Sequence, residues 1–238
     1  MSKETISIVL PTYNEKGNIA RLISQVYKNV GKELKEVIVV DDNSPDETWK
    51  VVEELSKTRN NLRLIRRLNK KGLPSAISTG IENSTGDIVV WLDCDFTHPT
   101  EMIKKMAEYI PEYDIVMGSR YVEGGSDKRN FFRAIISRVL NILGDIILNS
   151  DVKDLTSGFY AVKRSVFKNI RLKQDGYAEY CIRFAFDAKR KGYKIKEFPY
   201  TFSDRKKGSS KSYNNLPNFI KNGYLCVREI IRLRFSGR

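Results

Sequence analysis

No run of about 18 consecutive apolar residues occurs in the 238-residue sequence, so no segment is predicted to cross a bilayer as a helix. The first residues, Met1 to Glu4, carry a lysine and a glutamate and run straight into an apolar strand pattern, which is not the layout of a secretory leader. Cysteine is scarce. Cys94, Cys181 and Cys226 fall at spacings that suit neither a disulfide framework nor a metal cluster, and they predict reduced thiols. Internal repeats are absent, as is any linker long enough to separate domains, and the length suits a single domain with a sizeable core. Acidic residues are depleted in one region only: positions 189–238 hold 14 Lys and Arg against Glu197, Asp204 and Glu229, whereas everything before them holds 28 against 26. The net charge of +13 is thus concentrated in the last fifth of the chain. Such a surface favours phosphates, whether of nucleic acid, anionic lipid or a phosphorylated substrate; a merely solvated basic face is the alternative.

What is present is a set of apolar runs that end on polar turns. The segment GDIVVWLDCDFTHP, residues 86–99, reads as a buried strand closing on Asp93 and Asp95. Two carboxylates one residue apart at a strand end suit a hard divalent cation shared with a ligand's phosphates, although a solvated acidic loop has the same spacing. Two further runs behave alike. Residues 37–40 close on Asp41 and Asp42, and residues 6–10 close on Pro11, Thr12, Tyr13, Asn14 and Glu15. Strands of this kind alternating with helical patterns describe βαβ units, whose ligands sit outside the carboxyl ends of the strands. Acidic strand ends would repel nucleic acid, and no aromatic-basic RNA-binding signature is present, so nucleic acid is not an expected partner.

The periodicity predicts strands at 5–10, 36–41, 62–67, 87–92, 113–118, 157–163 and 194–200, with helices at 17–29, 46–58, 73–84, 99–109, 130–149 and 176–191. A last helix opens at Pro217. Two helices are strongly two-faced. Residues 130–148 gather Arg133, Ser137, Arg138, Asn141 and Asp145 on one side, opposite Phe131, Phe132, Ile135, Ile142 and Ile146. The C-terminal helix sets Lys221, Arg228 and Arg232 against Phe219, Ile220, Tyr224, Ile231 and Phe235. Either stripe suits a membrane interface or packing on the sheet, and one helix can do both.

In chain order, IVLPTYNEKGNI, VIVVDDNSPDET, GLPSAISTGIENSTGD leading into DCDFTHP, MGSRYVEGG, TSGFYAVKR and YTFSDRKKGSSK resemble the segments of family 2 glycosyltransferases, and most of all the dolichol-phosphate (polyprenyl-phosphate) mannose synthases. The resemblance covers roughly residues 5–212. It implies an α/β GT-A fold, a Rossmann-like nucleotide-binding half with a central, mostly parallel sheet flanked by helices. A catalytic domain would occupy 1–212, with an interface helix near 130–149, and a basic amphipathic helix would follow at 213–238. The implied reaction moves a sugar, mannose from GDP-mannose favoured, to dolichyl or polyprenyl phosphate with inversion. A UDP-sugar donor for glucosyl or N-acetylglucosaminyl transfer, or a saccharide acceptor, is the alternative. The resemblance assigns Pro11, Tyr13, Glu15, Val40, Asp42, Asp93, Cys94, Arg205 and Lys211 to the nucleotide sugar. It assigns Asp95, with Asp93 and Thr97, to Mg2+ or Mn2+, and Arg120, Arg133 and Ser137, beside Asp95, to the acceptor phosphate and catalysis. Expected partners are the two substrates, an anionic membrane surface at the cytoplasmic face, and a membrane-embedded subunit if one anchors the chain.

Two positions depart from the pattern. Thr97 stands where relatives carry Gln two residues after the second aspartate. The helix after Gly176-Tyr177 lacks the acid expected near Ile182 or Arg183, with Glu179 the nearest substitute. His98, before Pro99, is read as structural, and Lys71-Gly72 as a turn that touches the nucleotide or only caps a helix.

Overall fold

A computed structural model describes residues 4–203 and 216–236. The central sheet has seven strands: β1 (Ile6–Thr12), β2 (Leu34–Asp41), β3 (Leu62–Arg66), β4 (Ile88–Trp91), β5 (Ile115–Ser119), β7 (Tyr160–Lys163) and β8 (Ile195–Pro199). Their order is β3-β2-β1-β4-β7-β5-β8. Only β7 runs antiparallel to its neighbours, β4 and β5; the remaining pairs are parallel. Between and around them run α1 (Ile19–Val30), α2 (Thr48–Ser56), α3 (Leu73–Glu82), α4 (Met102–Ala107), α5 (Phe131–Leu148), α6 (Glu179–Arg190) and α7 (Leu216–Phe235). A small parallel pair, β6 (Ser126–Asp127) with β9 (Thr201–Phe202), lies beside this sheet. Two residues carry no detectable period, which is why neither strand is legible in the sequence.

Helices cover both faces of the sheet, so its middle strands are apolar on both sides. Ile6, Ile8 and Leu10 of β1 pack with α1 and α4, while Val9 points the other way into a core shared with Trp91, Tyr160 and Phe184. The helix expected at 99–109 is shorter, because Pro99 and Thr100 serve the turn after β4 and regular helix begins at Met102. α5 has defined ends: the Asn130 side chain accepts from the Phe132 N–H at 3.1 Å, and Asn149 closes the helix in the left-handed region. The boundary expected between residues 212 and 213 falls outside the described residues. Past it, α7 sends Cys226, Ile230 and Leu233 into the same core as Leu148 and Leu155. Its buried Glu229 pairs with Lys173 and Arg183.

α5 faces the opposite way from an ordinary surface helix. Asn141 is 1% exposed, whereas Phe132 is 73% and Ile146 70% exposed. α7 adds Ile220, Tyr224, Val227, Ile231 and Phe235 to the exposed apolar residues, so packing on the sheet does not account for either stripe. α7 thus has one side packed in the core and another that is exposed and apolar. Among the described residues, no helix is long and apolar enough to cross a membrane.

At the amino ends of the strands, Glu36 is buried and accepts from Ser7 Oγ (2.8 Å), Thr85 N–H and Oγ1 (both 2.7 Å) and Arg63 (2.8 Å). Burial opposes its ionised form, but the hydrogen bonds from Thr85, Arg63 and Ser7 outweigh it and hold the carboxyl below its usual range. A depressed folded-state pKa stabilises above the unfolded value and ceases to do so as pH falls through the folded one. Glu36→Gln is therefore expected to cost about 1–3 kcal/mol at neutral pH. Chemical denaturation at several pH values should show the gap to the parent protein narrowing in acid.

Candidate active site

The carboxyl ends of β1, β2 and β4 each turn through a residue in the left-handed region: Asn14 (φ 56°), Asn43 (φ 52°) and Phe96 (φ 63°). For a bulky residue such as Phe96 this is a strained choice, of the kind that the surrounding structure must enforce. Together these turns line a cavity bounded by Pro11, Tyr13, Glu15, Asp42, Asp93 and Cys94. Of the nucleotide-side residues that the resemblance implies, Pro11, Tyr13, Glu15, Asp42, Asp93 and Cys94 come together here, whereas Arg205 and Lys211 fall outside the described residues and Val40 stands apart. Val40 is fully buried and packs on Ile38, Ala76 and Ile65; the pleat puts it on the same sheet face as Asp42, but further back along the strand, and it is not among the residues that line the cavity.

The same pleat separates the two aspartates after β2. Asp41 is turned inward, accepting from Thr12 Oγ1 (2.8 Å) and from the Ser44 N–H (2.8 Å) and hydroxyl (2.6 Å). Asp42 faces the cavity, where Arg67 binds one carboxylate oxygen through Nε at 2.7 Å and the Gly72 N–H binds the other at 2.7 Å. Asp42 therefore fixes the Lys71-Gly72 turn against the cavity wall. Arg67, itself buried, is a site residue that sequence reasoning missed.

Asp95 is buried, and its Oδ1 accepts from both the Thr97 N–H (3.0 Å) and hydroxyl (2.5 Å). Thr97, assigned to the metal from the sequence, donates its hydroxyl to Asp95 and so orients that carboxylate. Asp93 lies next to it, and its N–H donates to His98 Nδ1 at 3.1 Å. His98 is pushed down to about 4 by burial, with the charge of Arg120 adding and those of Asp95 and Asp154 opposing. Its ring is stacked on Phe159 at 5.2 Å, and as a neutral acceptor it braces the Asp93–Asp95 turn. The oxygen donors fit a hard divalent cation. No group of three or more His, Cys, Asp and Glu suited to a metal occurs among the described residues, so the protein offers one or two carboxylates, a set that phosphate oxygens and water complete.

A second cavity adjoins the first and opens between α5 and α7, touching Arg120, Arg129, Ser137, Phe219 and Asn222. Arg120 is buried and held by Asp154, with Nε–Oδ2 at 2.8 Å and Nη2–Oδ1 at 2.6 Å. Its Nη2 also donates to Thr156 Oγ1 at 2.8 Å, leaving Nη1 3.5 Å from Asp127. Asp127 in turn binds Arg129 through Nε at 2.9 Å. Burial opposes the charge on Asp127, but the hydrogen bond and charge of Arg129, with the charge of Arg120, keep its carboxyl below the usual range. Gly125 lets the 122–125 turn lie flat on this group, since a Cβ there would come within 2.7 Å of the Ser119 carbonyl oxygen. Ser137 meets the Tyr121 hydroxyl at 3.0 Å, and Asn141 donates to Thr156 Oγ1 at 3.0 Å.

Arg133 is half-buried one turn before Ser137, on the same helix face, but does not line the cavity. Arg205 and Lys211 lie outside the described residues. Arg129, on the wall of the second cavity, and Asp154, which holds Arg120, were missed from the sequence. The available signal was the need of a buried arginine for an acid, and Asp154 stands just before the TSGF motif.

A mostly parallel sheet flanked by helices, with the buried Asp95 and the half-buried Asp93 just past one of its carboxyl ends, is the arrangement of the GT-A class of sugar transferases. The chain belongs to glycosyl transferase family 2, whose profile matches residues 7–171. It is 39% identical over 210 residues to a dolichol-phosphate mannosyltransferase of Pyrococcus furiosus, covering 87% of this chain and 58% of that protein. The chain thus spans somewhat over half the length of that relative. A dolichol-phosphate mannosyltransferase of Saccharomyces cerevisiae is 30% identical over 215 residues, covering 86% of this chain and 80% of the relative. The crystal structure of glucosyl-3-phosphoglycerate synthase from Mycobacterium tuberculosis, in complex with Mn2+, UDP and glucosyl-3-phosphoglycerate, superposes with a TM-score of 0.73. At 18% identity, over 97% of this chain and 80% of that one, the likeness is one of fold.

Asp154 is 0% exposed, so its loss leaves a buried guanidinium with only Asp127 near it. Asp154→Ala is expected to destabilise the protein by about 3–5 kcal/mol, a drop that urea unfolding followed by circular dichroism would register.

Proposed function

We propose that the chain transfers mannose from GDP-mannose to a polyprenyl phosphate with inversion, as a peripheral protein at the cytoplasmic face of a membrane. One observation carries the reading above the others. The second cavity has the buried Arg120 and the half-buried Arg129 on its wall and opens between two helices whose outer faces are apolar, which matches an acceptor with an anionic head and a hydrocarbon tail. The names of the relatives point to the same substrate class. The buried, free cysteines accord with a reducing compartment.

The chemistry asks little of a general base. An acceptor phosphate is ionised at neutral pH. A lone pair on its oxygen forms the bond to the anomeric carbon while the bond from that carbon to the nucleoside diphosphate breaks, its electron pair leaving on the diphosphate. An α-linked donor then gives a β-linked lipid phosphate, and no proton has to move. The protein's work is alignment and charge stabilisation. The turns bearing Tyr13, Glu15 and Asp42 hold the nucleotide, and Thr97 and His98 fix the Asp93–Asp95 turn beneath the diphosphate. Arg120 and Arg129, set by Asp154 and Asp127, present their remaining N–H groups to the acceptor phosphate, with Ser137 and Arg133 further along α5. A divalent cation held by Asp95, with Asp93 beside it, supplies Lewis-acid charge to the leaving group when bound.

The reading is tested by turnover of a small panel of nucleotide sugars with and without polyprenyl phosphate, for the parent chain and for Asp95→Ala. GDP-mannose with the lipid phosphate is expected to be the productive pair, and the variant to fall by at least about a hundredfold in kcat while its circular dichroism spectrum is unchanged. Equal turnover without the lipid phosphate, or full activity of the variant in chelator, would overturn it.

A further inference from the structure

The two cavities have three wall residues in common: Leu73, Asp93 and Tyr177. A group that moves from a donor in one to an acceptor in the other has to pass between these three. Leu73 opens α3, and Asp93 lies two residues past the end of β4. Tyr177 alone comes from outside the strand-end turns, and its place depends on how the chain before α6 is held.

That chain is tied down at several points. Lys173 pairs with the buried Glu229 of α7 at 3.3 Å. Gln174 accepts from Lys70 at 2.8 Å and donates to Ser78 of α3 at 3.3 Å. Gly176 is in the left-handed region (φ 86°), and a Cβ there would lie 2.8 Å from a Glu179 carboxylate oxygen. Glu179, 2% exposed, accepts the Tyr177 N–H at 2.7 Å. The acid missing from positions 182 and 183 does not reappear as a cavity-lining base, because Glu179 spends its carboxylate on this turn.

Resting on the glycosyl-transfer reading, we infer that Tyr177 contacts the transferred hexose and sets which sugar is accepted, with Glu179 as its positioning residue. A tyrosine offers an apolar ring face to the C–H groups of a pyranose and a hydroxyl to its polar edge, so one side chain reads shape and hydrogen bonding together. On the proposed reading the nucleotide is held by the strand-end turns that carry Tyr13, Glu15 and Asp42, while Tyr177 stands where the two cavities meet and reads the sugar.

The test compares GDP-mannose with GDP-glucose, which differ only at C2 of the sugar, using polyprenyl phosphate as acceptor and calorimetry with GDP alone. In Tyr177→Ala the ratio of kcat/KM for the two donors is expected to fall about tenfold or more, while the Kd for GDP stays within about twofold. Tyr177→Phe, which keeps the ring and the fold, should lie between. Glu179→Leu should reproduce some of the loss, and Glu179→Gln should restore the parent ratio, since its amide oxygen still accepts the Tyr177 N–H. An unchanged ratio in active Tyr177 variants, or GDP affinity falling in step with transfer, would overturn the inference alone. Failure of the parent chain to transfer from either donor would overturn the glycosyl-transfer reading and the inference with it.

Discussion

The second cavity and the helix beside it depend on the buried pair between Arg120 and Asp154. A guanidinium that is 6% exposed needs its charge matched and its N–H groups used, and the bidentate bond to Asp154 does both. The consequences reach well past the pair. Thr156 is drawn onto Arg120, Asn141 onto Thr156, and Ser137 toward Tyr121, so the polar stripe of α5 is pulled inward to complete a hydrogen-bonded network. With its polar stripe facing inward, α5 turns its phenylalanines and isoleucines to the outside. One electrostatic requirement thus sets both the floor of the second cavity and the apolar surface around its mouth.

On the donor side the organising constraint is backbone rather than charge. Each of three parallel strands ends in a turn that uses a left-handed residue, and these turns converge on one cavity. The strain at Phe96 is held by local bonds: Thr97 grips Asp95, and His98 grips the Asp93 N–H. A carboxylate pair fixed in advance spends little reorganisation on binding a cation and a diphosphate, which is what stabilising a leaving group requires.

Much of this was legible in the sequence, and the limits have physical causes. The apolar runs ending on Asp42, Asp93 and Asp95 identify the sheet and the edge that carries the site, because strands buried on both faces leave continuous apolar signatures. Val40 was assigned through the resemblance, and that its side chain packs among Ile38, Ile65 and Ala76 rather than lining the cavity becomes visible only in the folded sheet. The two-faced nature of α5 is plain in its period, but a helical wheel does not say which face is inward, and the ordinary expectation of apolar-in fails here. What decides it is Asp154, which lies 34 residues from Arg120 and is brought to it only by β7 threading antiparallel between β4 and β5. The pinning of Tyr177 by Glu179 was hidden for a similar reason: the sequence shows Glu179 only as the nearest substitute for an absent acid, and its bond to the Tyr177 N–H appears once the turn is folded.

The central claim is that the outward apolar faces of α5 and α7, together with the basic C-terminal fifth, seat the acceptor cavity on an anionic lipid surface. Each basic residue near such a surface contributes about 1 kcal/mol, and buried Phe and Ile side chains add to it. Vesicle flotation measures this most directly, with phosphatidylglycerol content and salt varied, for the parent chain and for a Phe132→Ser, Ile146→Ser double variant at exposed positions. The account predicts binding that rises with anionic lipid, falls with salt, and drops about tenfold or more in the variant. Absence of binding at low salt, or equal binding by both proteins, would contradict it.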